Sequence, residues 1–151
     1  MTPVDAGLVL FAYDASDLAK AAIEEAAEQV GAGRPALVVT VWEPLDVNTF
    51  FPIGLTPIPP GVIDSITKAA EETAAEGASL AKAAGFSAES MATEGAPIWK
   101  RIVDVADERD ASLVVLGSHG RTGLAGVLIG SVAGGVAQHS RRSVLIVHRP
   151  R

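Results

Sequence analysis

Apolar residues along this chain follow two alternating rhythms. In the short runs Leu8–Tyr13, Ala36–Trp42, Ala88–Glu94, Ser112–Gly117 and Ser143–His148 they are dense or alternate with polar neighbours. Three of these runs carry LVLFAY, LVVTVW and SLVVLG, apolar almost throughout, as in strands covered on both faces. Between the runs, over Asp17–Val30, Val62–Ala84, Ile98–Arg109 and Ser131–His139, the sequence reads as helical. In the first of these Leu18, Ala22, Ala26 and Val30 share one stripe, Ser16 is placed to cap the start and Gly31 to stop the end. The third begins at Pro97, suited to a first helical turn, with Ile98, Ile102 and Val105 facing inward. Strand–helix alternation over the whole length predicts an α/β fold. It would be an open, doubly wound, five-stranded parallel sheet with helices on both faces, in a single domain over 1–151.

Such sheets bind ligands beyond the carboxyl ends of their strands, where the strand order reverses. Asp14 and Gly117 each sit at a strand's carboxyl end. From Gly117 the chain reads Gly117-Ser118-His119-Gly120, then nine residues, then Gly130-Ser131 and the small-residue segment Val132–Ala137. Seven of the chain's fifteen glycines fall between Gly117 and Gly135. A strand, a glycine-rich loop and a helix start are the parts of a phosphate cradle, because bare backbone N–H groups and the helix dipole both favour an anion. The loop is not a Walker A motif, since no lysine follows Lys100, and G-x-G-x-x-G is absent. Ser131 can offer a hydroxyl, cap the helix, or do both. Asp14 can accept from a ribose hydroxyl or an adenine amino group, help hold a divalent ion, or close an Asx turn. Arg121 can pair with a terminal phosphate or remain a solvated loop arginine. His119 can touch phosphate, pack against a ligand, or simply be exposed.

One segment breaks the rhythm. Residues 48–61 read NTFFPIGLTPIPPG, with four prolines, too many for a strand or helix. It follows the second strand, so it is either a flap over the crevice or an irregular loop packed on the surface or on a partner subunit.

Composition narrows the function. Apolar residues make up 48% and charged residues 20% of the chain, as in a globular domain. No apolar run has membrane-spanning length, and the N-terminus carries no basic segment ahead of an apolar core. With no cysteine, disulfides and thiol catalysis are excluded, and we expect a cytoplasmic protein without membrane contact. The net charge of −6 argues against a nucleic-acid partner. The charge is uneven, at −11 over residues 1–110 and +5 over 111–151. That bias lets an anion approach the glycine loop without nearby carboxylates repelling it. Of the five arginines in that last stretch, Arg121 is the candidate ligand, and the other four are read as solubilising a turn and a tail. His119, His139 and His148 lie on different elements, no G-x-S-x-G elbow is present, and no metal-ligand spacing occurs. The chain therefore offers no catalytic set, and slow ATP hydrolysis at most is expected.

The arrangement G-x2-G-x9-G-S, preceded by LVVLG and followed by a small-residue helix and the VLIVH strand, resembles the universal stress protein family, and more narrowly its ATP-binding branch. FAYDASDLAKAA is similar to the family's first strand and helix, and EGAPIWKRIVDVADERDASLVVLGSHGRTG to its third helix and fourth strand. The resemblance implies a Rossmann-like sheet of order 3-2-1-4-5, ATP or a related adenine nucleotide as ligand, Mg2+ or Mn2+ with the nucleotide, and a regulatory role in stress response. By position it implies contacts from Ala12 and Asp14 after the first strand and from the backbone of Val41 after the second. Gly117, Ser118, His119, Gly120, Arg121, Thr122 and Gly123, with Gly130, Ser131, Val132 and Ala133, would hold ribose and phosphates. Ala12 departs mildly from the proline or larger apolar residue common in the family. In the implied order VLIV (144–147) is an open sheet edge, so a homodimer along 143–148 is expected. The rival readings are a slow ATPase or a nucleotidyl- or phosphoryl-transfer enzyme, and a nucleotide-free structural dimer.

Overall fold

The computed structural model describes residues 7–31, 33–44, 59–120 and 129–148. Among these, five strands alternate with four helices: β1 (Val9–Ala12), α1 (Asp17–Val30), β2 (Pro35–Trp42), α2 (Val62–Ala83), β3 (Ser87–Glu94), α3 (Ile98–Glu108), β4 (Leu113–Gly117), α4 (Ser131–His139) and β5 (Ser143–Val147). The strands form one sheet in the order β3-β2-β1-β4-β5, and every neighbouring pair is parallel. This is the doubly wound, Rossmann-like arrangement that the sequence predicts. Every element falls within about a residue of its expected bounds, apart from strand ends that fray by ordinary amounts.

The two-residue side-chain period of β1 divides the core. Val9, Phe11 and Tyr13 point to one face with Val38 and Val115, where α1 and α2 cover them through Ala22, Ile23, Ala26, Ala78 and Ala81. Leu10 points to the other face with Leu37, Val39, Val114 and Leu116, covered by α3 and α4 through Ile102, Val105, Ala133 and Val136. Each such branched side chain, taken fully out of water, stabilises the fold by about 1.5–3 kcal/mol. Phe11 and Phe86 meet edge to face, with ring centroids 5.2 Å apart. The alanine stripe of α2 brings that helix close to the sheet. A Cβ built on Gly77 would fall 2.7 Å from both the Tyr13 ring and Val38, so no larger residue fits there.

Helix ends follow local chemistry. Ser16 caps α1 by accepting from the Ala19 N–H at 3.1 Å, and Gly31 ends the helix at φ 82°. Pro97 stands just ahead of α3 as its N-cap rather than inside its first turn. The proline-rich stretch lies outside the described residues up to position 58. Its last residue, Gly61, caps α2 at φ 87°. No helix among the described residues is long and apolar enough to cross a membrane.

Arg142 corrects one sequence expectation. It is not a solvated turn residue. Its guanidinium donates to Asp107 at 3.0 Å, to Asp110 at 2.7 Å and to the Ala111 carbonyl at 3.2 Å, tying the chain before β5 to the end of α3. The hydrogen bond to Asp110, then that to Asp107, raises its pKa above the usual arginine value. The charge patterning that suggested a bare basic turn could not show that two carboxylates at the end of α3 lie opposite it.

Candidate functional site

The strand order reverses between β1 and β4, and their carboxyl ends open side by side. Beyond β1 the Tyr13 N–H still donates to the Val39 carbonyl at 2.9 Å, and the Thr40 hydroxyl donates to the Tyr13 carbonyl at 2.9 Å. These bonds hold the chain on β2 for one further residue and deliver Asp14 at the rim. There the Asp14 carboxylate accepts from the Ser16 N–H at 3.0 Å, the Asx turn weighed from sequence, while Ala15 takes φ 63°. On the far side of Tyr13, its hydroxyl donates to Glu76 of α2 at 2.6 Å.

Beyond β4 the Ser118 N–H donates to the Val147 carbonyl at 2.8 Å, extending the pairing with β5. The Ser118 carbonyl then accepts from the Gly130 N–H at 2.6 Å. That bond closes the loop on itself and sets the start of α4 beside the end of β4. Gly130, not Ser131, occupies the N-cap, and among the described residues no side chain caps this helix. Ser131 is the first helical residue and is exposed. The first-turn N–H groups of Ser131, Val132 and Ala133 therefore carry the positive end of the α4 dipole, with no side-chain cap from the described residues.

The motif glycines serve a purpose the sequence did not reveal. A Cβ on Gly117 would fall 2.9 Å from Cγ of Leu18, on Gly120 2.6 Å from Oδ2 of Asp14, and on Gly130 3.2 Å from the Ser118 carbonyl. All three would meet the protein's own atoms. The glycines let α1, the Asp14 turn and the α4 start close against the loop.

Between these parts lies a cleft of about 430 Å³. Ala12, Asp14, Val41, Gly117, Ser118, His119, Gly120, Gly130, Ser131, Val132 and Ala133 all line it. Arg121, Thr122 and Gly123, also implicated by sequence, lie outside the described residues. Sequence reasoning missed Tyr13, Ser16, Ala19, Val39, Ile98, Ile102 and Leu116, which line the same cleft. A signal was present. A helix following a parallel strand starts at the sheet's carboxyl edge, so the first turns of α1 and α3, with Ser16, Ala19, Ile98 and Ile102, belong near the opening. Val39, Ile102 and Leu116 give it an apolar floor, with Ile102 2% exposed. The α4 amides, Asp14 and His119 supply polarity at the rim. The arrangement suits a ligand with a flat apolar part and an anionic tail. Among the described residues no group of three or more His, Cys, Asp or Glu side chains is placed to hold a metal ion.

The universal stress protein family model matches residues 7–148. The universal stress protein YxiE of Bacillus subtilis is 31% identical over 147 residues, covering 92% of this chain and 97% of that protein. The universal stress protein MJ0577 of Methanocaldococcus jannaschii is 35% identical over 65 residues, a match spanning only 40% of its length. Its solved structure superposes over 98% of this chain and 99% of that one, with a TM-score of 0.78 at 22% identity, a likeness of fold. A universal stress protein in complex with cAMP gives a TM-score of 0.66 at 27% identity, covering 95% of this chain and 98% of that one. The universal stress protein of Archaeoglobus fulgidus in complex with dAMP gives 0.60 at 26%, covering 93% and 95%.

Proposed function

The chain belongs to the universal stress protein family, and from that premise we propose that its cleft binds an adenine nucleotide, as the family's ATP-binding branch does. One observation carries this reading: residues drawn from the ends of β1, β2 and β4 and the start of α4 line one cleft, with an apolar floor and a helix N-terminus that no side chain of the described residues caps. The adenine ring would lie on the floor beside Val41. The phosphates would meet the amides of Ser131, Val132 and Ala133 and the loop from Gly117 to Gly123, with Arg121 reaching the terminal phosphate. Related proteins crystallised with cAMP and with dAMP support a nucleotide of the adenine class.

ATP is the ligand we propose, accompanied by Mg2+ or Mn2+. Magnesium is usually held by one or two carboxylates together with substrate phosphates, and Asp14 is the carboxylate at the rim. Within one nucleotide-binding domain over 1–151, occupancy would alter the loop and so the surface offered to a client protein in the stress response. The protein would act in the cytoplasm as a homodimer joined along 143–148, apart from nucleic acid and membrane. The half-buried Val144, Leu145 and Ile146 on an edge strand support that dimer.

Isothermal titration with ATP, AMP and cAMP, each with and without Mg2+, tests the reading. Saturable binding of one nucleotide per chain is expected, with phosphate release from ATP remaining slow. No saturable binding of any of the three at millimolar concentration contradicts it.

A further inference from the structure

α4 packs through small side chains: it reads SVAGGVAQH, and its buried residues are Ala133 and Val136. Gly135 and His139 stand one turn apart on one face of this helix and form a slot. An indole from α3 fills it. Trp99, half-buried in the first turn of α3, stacks on the His139 ring with centroids 4.1 Å apart and planes 18° from parallel. The His139 ring is held in turn. Its Nδ1 carries a hydrogen and donates to the Gly135 carbonyl at 2.9 Å, since a carbonyl only accepts.

The other wall of the slot is bare backbone. A Cβ built on Gly135 would fall 2.5 Å from Cδ1 and 2.8 Å from Cβ of Trp99. No side-chain torsion moves the tryptophan Cβ, so any larger residue at 135 would force α3 and α4 apart. The slot is also close to the cleft. The amides of Ser131, Val132 and Ala133 precede Gly135 by two to four residues, about 3–6 Å along the helix axis. A helix of nine residues moves as one piece, so a shift at the slot is a shift at those amides. The cleft lining includes Ile98 and Ile102 of α3 but, among the described residues, not Trp99.

We propose that Trp99 is a positioning residue for the anionic end of the cleft: seated in the Gly135–His139 slot, its indole sets where the α4 amides stand and so how firmly a phosphate is held. The apolar floor that takes the base is left as it is. A hydrogen bond weakens steeply once its distance and angle depart from the preferred range, so a small displacement of α4 is enough. The ligand rests on the nucleotide reading above, whereas the slot does not.

Amide NMR titrations of the full chain with ATP and with adenosine, which lacks phosphate, test this. Gly135→Ala should weaken ATP by roughly tenfold, the value of one charge-assisted hydrogen bond, and adenosine by less than about twofold. Trp99→Ala should also weaken ATP more than adenosine. Combined with Gly135→Ala it should cost less than the product of the two single losses by roughly threefold, because the new methyl then has no indole to displace. His139→Ala, at an exposed position, opens the slot without a clash and should weaken ATP by about two- to threefold. It decides the matter if the other variants do not fold. Equal losses for the two ligands, strictly multiplicative single losses, or an unchanged ATP affinity in His139→Ala overturn the proposal. A wild type that binds neither ligand overturns the nucleotide reading instead. The ligand-free spectrum of His139→Ala then judges the slot: displaced amide resonances at Ser131, Val132 and Ala133 uphold it, and unmoved ones overturn it.

Discussion

Gly117→Ala separates two reasons for a glycine at the end of β4. If the glycine makes room for a ligand, alanine leaves stability alone and lowers affinity. The structure gives the other reason. The new methyl carbon would lie 2.9 Å from Cγ and 3.2 Å from Cβ of Leu18, and 3.3 Å from the His119 carbonyl. Carbon pairs prefer about 3.5–4.0 Å, so Leu18 must retreat by roughly half an ångström to one. Leu18 is 8% exposed and packed into the core beneath α1, so it has little space to retreat into. Overpacking of this kind costs about 1–3 kcal/mol, which for a domain of this size lowers Tm by roughly 3–10 °C. Urea unfolding followed by circular dichroism measures the change. Leu18→Ala alone costs about 2–5 kcal/mol as a buried truncation. It also removes the atom that clashes, so the double variant should be more stable than the sum of the two singles by about 1 kcal/mol. Gly117→Ala within about 0.5 kcal/mol of the wild type, or strictly additive singles, would refute the packing argument.

Three further outcomes follow from the same geometry. Asp14→Asn keeps an oxygen for the Ser16 N–H but loses the charge, whereas Asp14→Ala loses both. The first should unfold within about 0.5 kcal/mol of the wild type and bind ATP roughly tenfold more weakly, and the second should in addition lose about 0.5–1.5 kcal/mol of stability by thermal unfolding. Ser16→Ala removes the oxygen that caps Ala19 and should cost about 1 kcal/mol in the same assay, with no loss indicating that water replaces the cap. Sedimentation at micromolar concentration should report twice the 15.5 kDa chain mass, and a monomer would count against pairing along β5.

The architecture was legible because burial on both faces leaves little freedom in composition. LVLFAY, LVVTVW and SLVVLG cannot be exposed on either side, and the alternation in SAESMATE suits an edge, where β3 lies. Caps were legible where a side chain performs the capping, as at Ser16. They were misread at α4, where Gly130 and not Ser131 is the N-cap and its N–H is taken by the Ser118 carbonyl from twelve residues back. The direction in which a motif glycine faces is a tertiary fact, and the spacing G-x2-G-x9-G-S is equally compatible with a ligand or with Leu18 and Asp14 as the close neighbour. Ile98 and Ile102 were read as core-facing, which they are, but a residue near the open edge of a core also lines the crevice. The hydrogen bond between the Ser118 hydroxyl and Nδ1 of His119, 3.0 Å long, was hidden because adjacent side chains on a loop meet only when the backbone turns them together.

A titration of the 15N-labelled protein with ATP, followed by amide NMR, tests the central claim most directly. The account predicts saturable shifts concentrated on Gly117, Gly120, Ser131, Val132 and Ala133, with smaller ones at Val41 and Ile102. Shifts absent from these amides at saturation, or centred on the far, amino-terminal edge of the sheet, would contradict it.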